Sequence, residues 1–276
     1  MPRLRRLATA SAVFVVFVSW GGGREPWLAA AIPATPAAPP GTAERAKTPA
    51  VALVPVLEEF DGTHANGRWA IHQYEGTFEY HVQPDALRMV DQRNANQHVT
   101  RRGLELNPRR PYAVEARFTI HQRTAARGPN SFCLNFHVAG PVDSFDSISC
   151  WSMNVDVAAK QGAGGVMKHM GFVEGRFRQI GDRKVAWAAT GVEYRLRVDV
   201  NLDRNNRFKP NLLTVTVWEG DRTRERFEVD YSSFPYQPDP SKPVRVGVNT
   251  HGADWTMREF KVYAEAGSAV GRQRGP

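Results

Sequence analysis

Between residues 112 and 121 the chain alternates. Tyr112, Val114, Ala116, Phe118 and Ile120 fall on one side, and Glu115, Arg117, Thr119 and His121 on the other. Side chains of a β-strand leave opposite faces in turn, so a period of two marks a half-buried strand. The same pattern returns at Phe132, Leu134, Phe136 and Val138, and at Trp151, Met153, Val155 and Val157. It returns again at Val192, Tyr194, Leu196, Val198 and Val200, backed by Glu193, Arg195, Arg197 and Asp199. Shorter runs occur at Leu213, Val215 and Val217, at Phe227 and Val229, at Val244, Val246 and Val248, and at Phe260 and Val262. Turn formers separate them: Gly128-Pro129-Asn130, Gly140-Pro141, Gly162 to Gly165, Asn205-Asn206, Glu219-Gly220-Asp221 and Pro238 to Pro243. Helical periodicity is nearly absent. Strands with one apolar and one polar face predict an all-β fold, two antiparallel sheets packed as a sandwich, with about ten strands arranged as a jelly roll.

The first thirty-one residues obey a different logic. Arg3, Arg5 and Arg6 precede an apolar stretch from Leu7 to Trp20, and Ala29-Ala30-Ala31 offers small residues for cleavage. This predicts a signal peptide over 1–31, with an uncleaved membrane anchor as the alternative. Residues 32–50 are rich in Pro and Ala and read as a linker. The sandwich is expected over 51–264, with a disordered Gly-rich, basic tail at 265–276. The protein is therefore expected to be secreted, periplasmic or held at the cell surface, and monomeric.

Composition narrows the partners. The chain has 276 residues, 42% hydrophobic and 23% charged, with a formal net charge of +8. Part of that charge, Arg3, Arg5, Arg6 and Arg24 against Glu25, belongs to the leader. The remaining cations form no dense stripe, so nucleic acid is not expected as a partner. Two cysteines, Cys133 and Cys150, would meet an oxidising compartment. If 131–138 and 148–157 are antiparallel neighbours, a register that sets Cys133 opposite Cys150 also sets Asn135 opposite Ile148, and it brings both apolar faces together. Opposed Cβ atoms at about 4.5–5.5 Å can close to a disulfide. Two buried free thiols are the alternative.

The polar positions carry the candidate chemistry. Glu115, Arg117, Thr119, Asn135, His137, Ser152, Asn154 and Asp156 would share one surface if their strands are neighbours, and Arg195, Arg197, Asn249 and His251 could join them. Amides, a guanidinium and an imidazole are groups that hold sugar hydroxyls or carboxylates. In a catalytic version, His137 or Glu115 would serve as acid and base. Arg117 would steady an anionic group, and Asn135, Asn154, Asp156 and a stacking Trp187 would bind substrate. The acidic E-x-D-x-x-E strand of jelly-roll glucanases is absent. Lys168 and His169, in a connector after the Gly-rich loop, could overhang a cleft. Asp199, Asn201 and Asp203 resemble the opening of a calcium loop but lack its Gly and later Glu. No metal site or cofactor is expected, calcium being the alternative.

The residues Glu59-Phe60-Asp61-Gly62 with Trp69, Tyr112 to Phe118, Tyr194 to Val198, Leu213 to Trp218, and Val246-Gly247-Val248 with Phe260-Lys261-Val262 give the chain a familiar rhythm. Over residues 56–264 it resembles the concanavalin A-like lectin/glucanase superfamily, nearest to its laminin-G-like and keto-disaccharide-hydrolase-like branches. The resemblance implies a jelly roll and a carbohydrate ligand, which the arginines would suit if it is anionic. That superfamily holds lectins, glycosidases, polysaccharide lyases and adhesion modules. Two functions are therefore expected: a secreted carbohydrate-active domain that binds or cleaves a glycan, as a glycoside hydrolase or polysaccharide lyase where it cleaves, or a non-catalytic carbohydrate-binding or adhesion module.

Overall fold

The computed structural model describes residues 49–270, apart from 61, 63–68, 73–77, 93–96, 125–129, 142–146 and 159–163. The expected signal peptide, most of the expected linker and the last six residues of the expected tail lie outside the described residues. The strands run in the order β1 (Val54–Glu59), β2 (Trp69–His72), β3 (Phe78–Gln83), β4 (Ala86–Asp91), β5 (Gln97–Arg101), β6 (Glu105–Leu106), β7 (Tyr112–Arg123), β8 (Ser131–Ala139) and β9 (Ser149–Val157). They continue with β10 (Gly165–Val173), β11 (Arg176–Val185), β12 (Glu193–Leu202), β13 (Phe208–Glu219), β14 (Arg222–Asp230), β15 (Arg245–His251), β16 (Ala253–Ala264) and β17 (Ala269–Val270). Among the described residues there is no helix.

An eight-stranded sheet has the order β14-β13-β12-β7-β16-β4-β3, with β1 also paired to β16. A seven-stranded sheet has the order β11-β10-β9-β8-β15-β5-β2. This is the two-layer architecture that the alternation predicts. The Val166 to Phe172 segment, expected as a connector, is strand β10. Beyond Ala264 the chain stays paired, because Ala269–Val270 lies against Glu105–Leu106.

The apolar faces meet between the sheets. Phe118 of β7 stacks on Phe132 of β8 with ring centroids 3.9 Å apart, and Trp255 of β16 meets Phe132 edge-on at 5.0 Å. Leu196, Val198, Val215, Leu134 and Met153 are fully buried around them. Each such side chain contributes roughly 1.5–3 kcal/mol by leaving water. Trp151, expected in the core, is there, and its Nε1–H donates to the Tyr236 carbonyl at 2.8 Å.

Strand β8 breaks its own alternation, and two expectations fall with it. The pairing runs Phe132 to Val155, Leu134 to Met153 and Phe136 to Trp151, then slips to Ala139 opposite Ser149. His137 sits in the slip with φ 52°, a left-handed value uncommon outside glycine. A bulge of this kind re-aims the residues beyond it. His137 accordingly turns into the sandwich. Its Nδ1 lies 3.1 Å from the Tyr112 hydroxyl, and its ring meets Trp151 edge-on at 4.5 Å. Val138 turns outward to a small apolar cluster with Ile148, Cys150, Met170 and Phe172.

The same hairpin corrects the disulfide. Cys133 pairs with Asn154 rather than Cys150, and Cys150 pairs with Phe172 of β10. Both thiols are free and buried. Burial pushes the Cys150 thiol up to about 12 and raises that of Cys133 as well, so neither is a ready nucleophile.

Candidate functional site

The outward positions of the seven-stranded sheet make a polar floor. Its rows can be read across neighbouring strands. Lys168 faces Asn154, Asn154 faces Cys133, Cys133 faces Asn249 and Asn249 faces His98. In the next row Ser152 faces Asn135, which faces Gly247. On the other side Asp156 faces Ser131. With strands about 4.8 Å apart and about 6.8 Å between like-facing residues, the floor from β9 to β15 measures on the order of 10 by 14 Å, the span of one or two sugar rings.

These polar side chains are buried. Asn135, Asn154, Asn249, His98 and Ser152 are at most 2% exposed, and Asp156 is 6% exposed. Burial of a polar group costs unless it finds a partner. Some do. The Ser152 hydroxyl donates to Asn154 Oδ1 at 3.0 Å, and Asp156 Oδ2 forms an ion pair with Lys168 Nζ. The side chain of Lys168 is 22% exposed, so this pair is where the floor meets solvent. Others do not. Asn135 Oδ1, Asn249 Oδ1 and Asp156 Oδ1 are buried with no hydrogen-bond partner among the described residues.

His98 stands between the two amides. Its Nδ1 is 3.1 Å from Asn135 Nδ2 and its Nε2 is 3.0 Å from Asn249 Nδ2. No tautomer of imidazole accepts on both nitrogens, so at least one amide turns its oxygen to the ring and its NH2 to the floor. With a neutral His98, one amide donates to the ring and the other accepts from it, which leaves one buried acceptor and one buried donor beneath the Phe172 ring, edge-on to His98 at 4.6 Å. Asp156 adds a second acceptor whose charge Lys168 balances.

The remaining expected site residues go elsewhere. Asn135, Asn154 and Asp156 share the floor. Glu115 and Arg117 do not: they lie on β7, on the outer face of the opposite sheet. There Glu115 pairs with Arg197 at 3.7 Å, and Arg117 with Glu259 at 3.1 Å. Arg195 and Arg197 are on that sheet as well. Burial holds the Glu115 carboxyl above its ordinary range, with Arg197 opposing the shift. His137 is inside the core, where burial lowers its pKa to about 3. An acid–base pair of His137 and Glu115 therefore has no common pocket. Trp187 packs on Tyr194 at 4.9 Å, and its backbone oxygen accepts from the Tyr194 hydroxyl at 2.6 Å. Lys168 reaches the floor, while His169 turns to the inner side and packs on Phe227 at 5.4 Å.

The residues resembling a calcium loop are each engaged. Asp199 pairs with Arg197 at 2.8 Å, Asn201 donates to the Pro108 oxygen at 2.9 Å, and Asp203 accepts from the Asn205 and Arg207 amides at 2.8 and 2.9 Å. Among the described residues no group of three or more His, Cys, Asp or Glu could hold a metal ion. Sequence reasoning missed His98. The signal available for it was period two within Gln97–Arg101, which places His98 and Thr100 on the side opposite Val99.

Fold and floor together define an all-β sandwich with a polar, charge-balanced patch on one outer face. The fold is similar to the VIP36 exoplasmic/lumenal domain in its Ca2+/Man3GlcNAc-bound form, at 12% identity over 75% of this chain and 86% of that one, TM-score 0.46. It is similar to the Emp47p carbohydrate recognition domain at 12% identity, over 75% and 93% of the two chains, TM-score 0.49. The metal-free Emp46p carbohydrate recognition domain matches at 12% identity over 71% and 88%, TM-score 0.46. No protein-family model matches the chain, and no curated protein sequence matches it.

Proposed function

We propose that this chain is a carbohydrate-binding β-sandwich domain that holds its ligand without cutting it, with the floor on β8, β9, β15 and β5 as the binding surface. One observation supports this reading above the others. Among the described residues, Asn135, Asn249 and Asp156 each keep a polar atom buried without a partner on the same face. Native proteins leave few such atoms unpaired, and a ligand rich in hydroxyls supplies both donors and acceptors. The Asp156 charge is already balanced by Lys168, which favours a neutral ligand here. Glycoside hydrolysis commonly uses two carboxyl groups across one bond. The floor has Asp156, bound to Lys168, while His137 and Glu115 lie in the core and on the far sheet. An export signal at the N-terminus would deliver such a domain to the periplasm, the cell surface or the medium.

The test is an array of neutral and anionic oligosaccharides probed with the whole chain, then calorimetry on the best ligand. Asn135→Ala and Asn249→Ala are expected to weaken binding of a neutral sugar at least tenfold while the far-ultraviolet spectrum stays that of a β protein. No reducing ends are expected to appear on prolonged incubation. Undiminished binding by both variants, or steady release of reducing ends, overturns the proposal.

A further inference from the structure

The outer face of the eight-stranded sheet carries a separate open trough of about 590 Å3, lined from β7, β12, β13, β14 and β16. Its charges form rows across the strands. One row runs Arg226, Thr216, Arg197, Glu115 and Lys261. The next runs Trp218, Arg195, Arg117 and Glu259. Every acid in the trough already has a base. Asp199 pairs with Arg197 at 2.8 Å, Glu115 pairs with Arg197 at 3.7 Å, and Glu259 pairs with both Lys261 and Arg117.

Two cations are left over. The Nε of Arg195 is buried with no hydrogen-bond partner among the described residues, and its charge bears on Glu115 without a close ion pair. Directly opposite it on β7 stands another arginine, Arg117. Like charges facing each other across strands destabilise a sheet; here Glu259 and Glu193 offset Arg117, and Trp218 supports Arg195. Its guanidinium lies 4.3 Å from the centre of the Trp218 ring. A guanidinium held over an aromatic ring can turn its two terminal Nη groups, rather than the buried Nε, to an oxyanion. Arg226 lines the same trough; its Nη2 donates to the Arg204 oxygen, and no acid pairs with it among the described residues.

We infer that this trough is an oxyanion site, in which Arg195 takes a carboxylate or sulfate group edge-on while Trp218 fixes the guanidinium plane and Arg226 adds charge. The ligand class is a small carboxylate or sulfate, either free or borne by an acidic sugar. The site is independent of the floor: it lies on the opposite outer face and shares no residue with it.

The experiment is calorimetric titration of the whole chain with sodium glucuronate, sodium sulfate and glucose, at ionic strength held constant with chloride. Saturable heats are expected for glucuronate and sulfate. Arg195→Gln is expected to weaken both at least tenfold, and Trp218→Ala to weaken them severalfold. The charge control Arg176→Gln, on exposed β11, is expected to change them less than twofold. Tighter binding of glucuronate than of sulfate assigns the site to acidic sugars, and the reverse assigns it to inorganic oxyanions. No saturable anion binding, equal weakening by Arg176→Gln, or undiminished binding by Arg195→Gln overturns the inference. Failure of the neutral-sugar floor would leave these results unchanged.

Discussion

On the seven-stranded sheet the outward positions of β8, β9 and β15 hold Asn135, Asn154, Asp156 and Asn249, none more than 6% exposed. On the eight-stranded sheet the outward positions of β7, β12 and β16 hold Glu115, Arg117, Arg195, Arg197, Glu259 and Lys261, and the Arg117 side chain is 44% exposed. Both faces come from the same period-two alternation. They differ in what each can bear. An amide can be buried for the loss of one hydrogen bond, about 1–3 kcal/mol, whereas an unpaired charge cannot be buried at comparable cost. The amide face therefore keeps a few orphaned atoms, while the charged face pairs its acids, the buried Glu115 and Asp199 included, with Arg197. The two proposals follow this difference: a hydroxyl-rich ligand for the amides and an oxyanion for Arg195.

Acid should separate the two sheets most strongly. His137, within the seven-stranded sheet, has a pKa lowered to about 3 by burial, against about 6.5 in an unfolded chain. Between those values the unfolded chain takes up the extra proton. Its contribution to stability is whole above about pH 6.5 and drains away as the pH falls towards 3, by up to ~5 kcal/mol. Glu115, on the eight-stranded sheet, runs the other way. Its folded carboxyl is raised above 4.5, so its contribution is lost as pH rises through the folded value and regained on acidification. His137→Asn keeps a residue tolerant of φ 52° and removes the imidazole. Urea unfolding of this variant is expected to lose about 3 kcal/mol of the wild-type difference between pH 7.5 and pH 4.5. An unchanged difference would mean that His137 is not the buried base.

Next in size is the response to removing one partner of an ion pair. Lys168→Met leaves the Asp156 carboxylate at the closed floor without its cation, and a loss of roughly 2–4 kcal/mol is expected in urea unfolding at pH 7. Glu193→Gln on the open face leaves Arg117 still paired with Glu259, and the loss there should stay below ~0.5 kcal/mol. Equal losses would erase the contrast between the buried Asp156–Lys168 pair and the exposed Arg117–Glu193 pair.

The alternation made both faces legible as strands but could not say which sheet each strand joins. Glu115 and Asn135 have the same parity within their own strands, and parity was all that placed them together. Sheet membership depends on pairings between distant segments, such as β7 with β16 and β8 with β15, which no local pattern encodes. The bulge at His137 was hidden for a different reason. A single added residue after Phe136 leaves Phe132, Leu134 and Phe136 in perfect alternation and re-aims only the side chains beyond them. Trp151 in the core and the shared face of Asn135, Asn154 and Asp156 came through because each rests on parity within β8 and β9 alone.

The smallest effect concerns the cysteines, where the comparison turns on register. A bridge between Cys133 and Cys150 would have clamped β8 to β9 beneath the floor and contributed on the order of 3 kcal/mol. In the observed register Cys133 faces Asn154, four residues further along β9 than Cys150, too far along the strand for Cβ atoms to approach within the roughly 3.5–4.5 Å a disulfide needs. Cys133 instead lies 3.5 Å from the Ser131 hydroxyl, and Cys150 packs with Val138, Ile148, Met170 and Phe172. Adding dithiothreitol is therefore expected to move the urea midpoint by no more than the scatter of the measurement, and thiol titration in denaturant should count both cysteines as free. A drop of about 3 kcal/mol on reduction would require β8 and β9 to slide into the other register. That slide would carry Asn135 opposite Ile148 and dismantle the floor along with the hairpin.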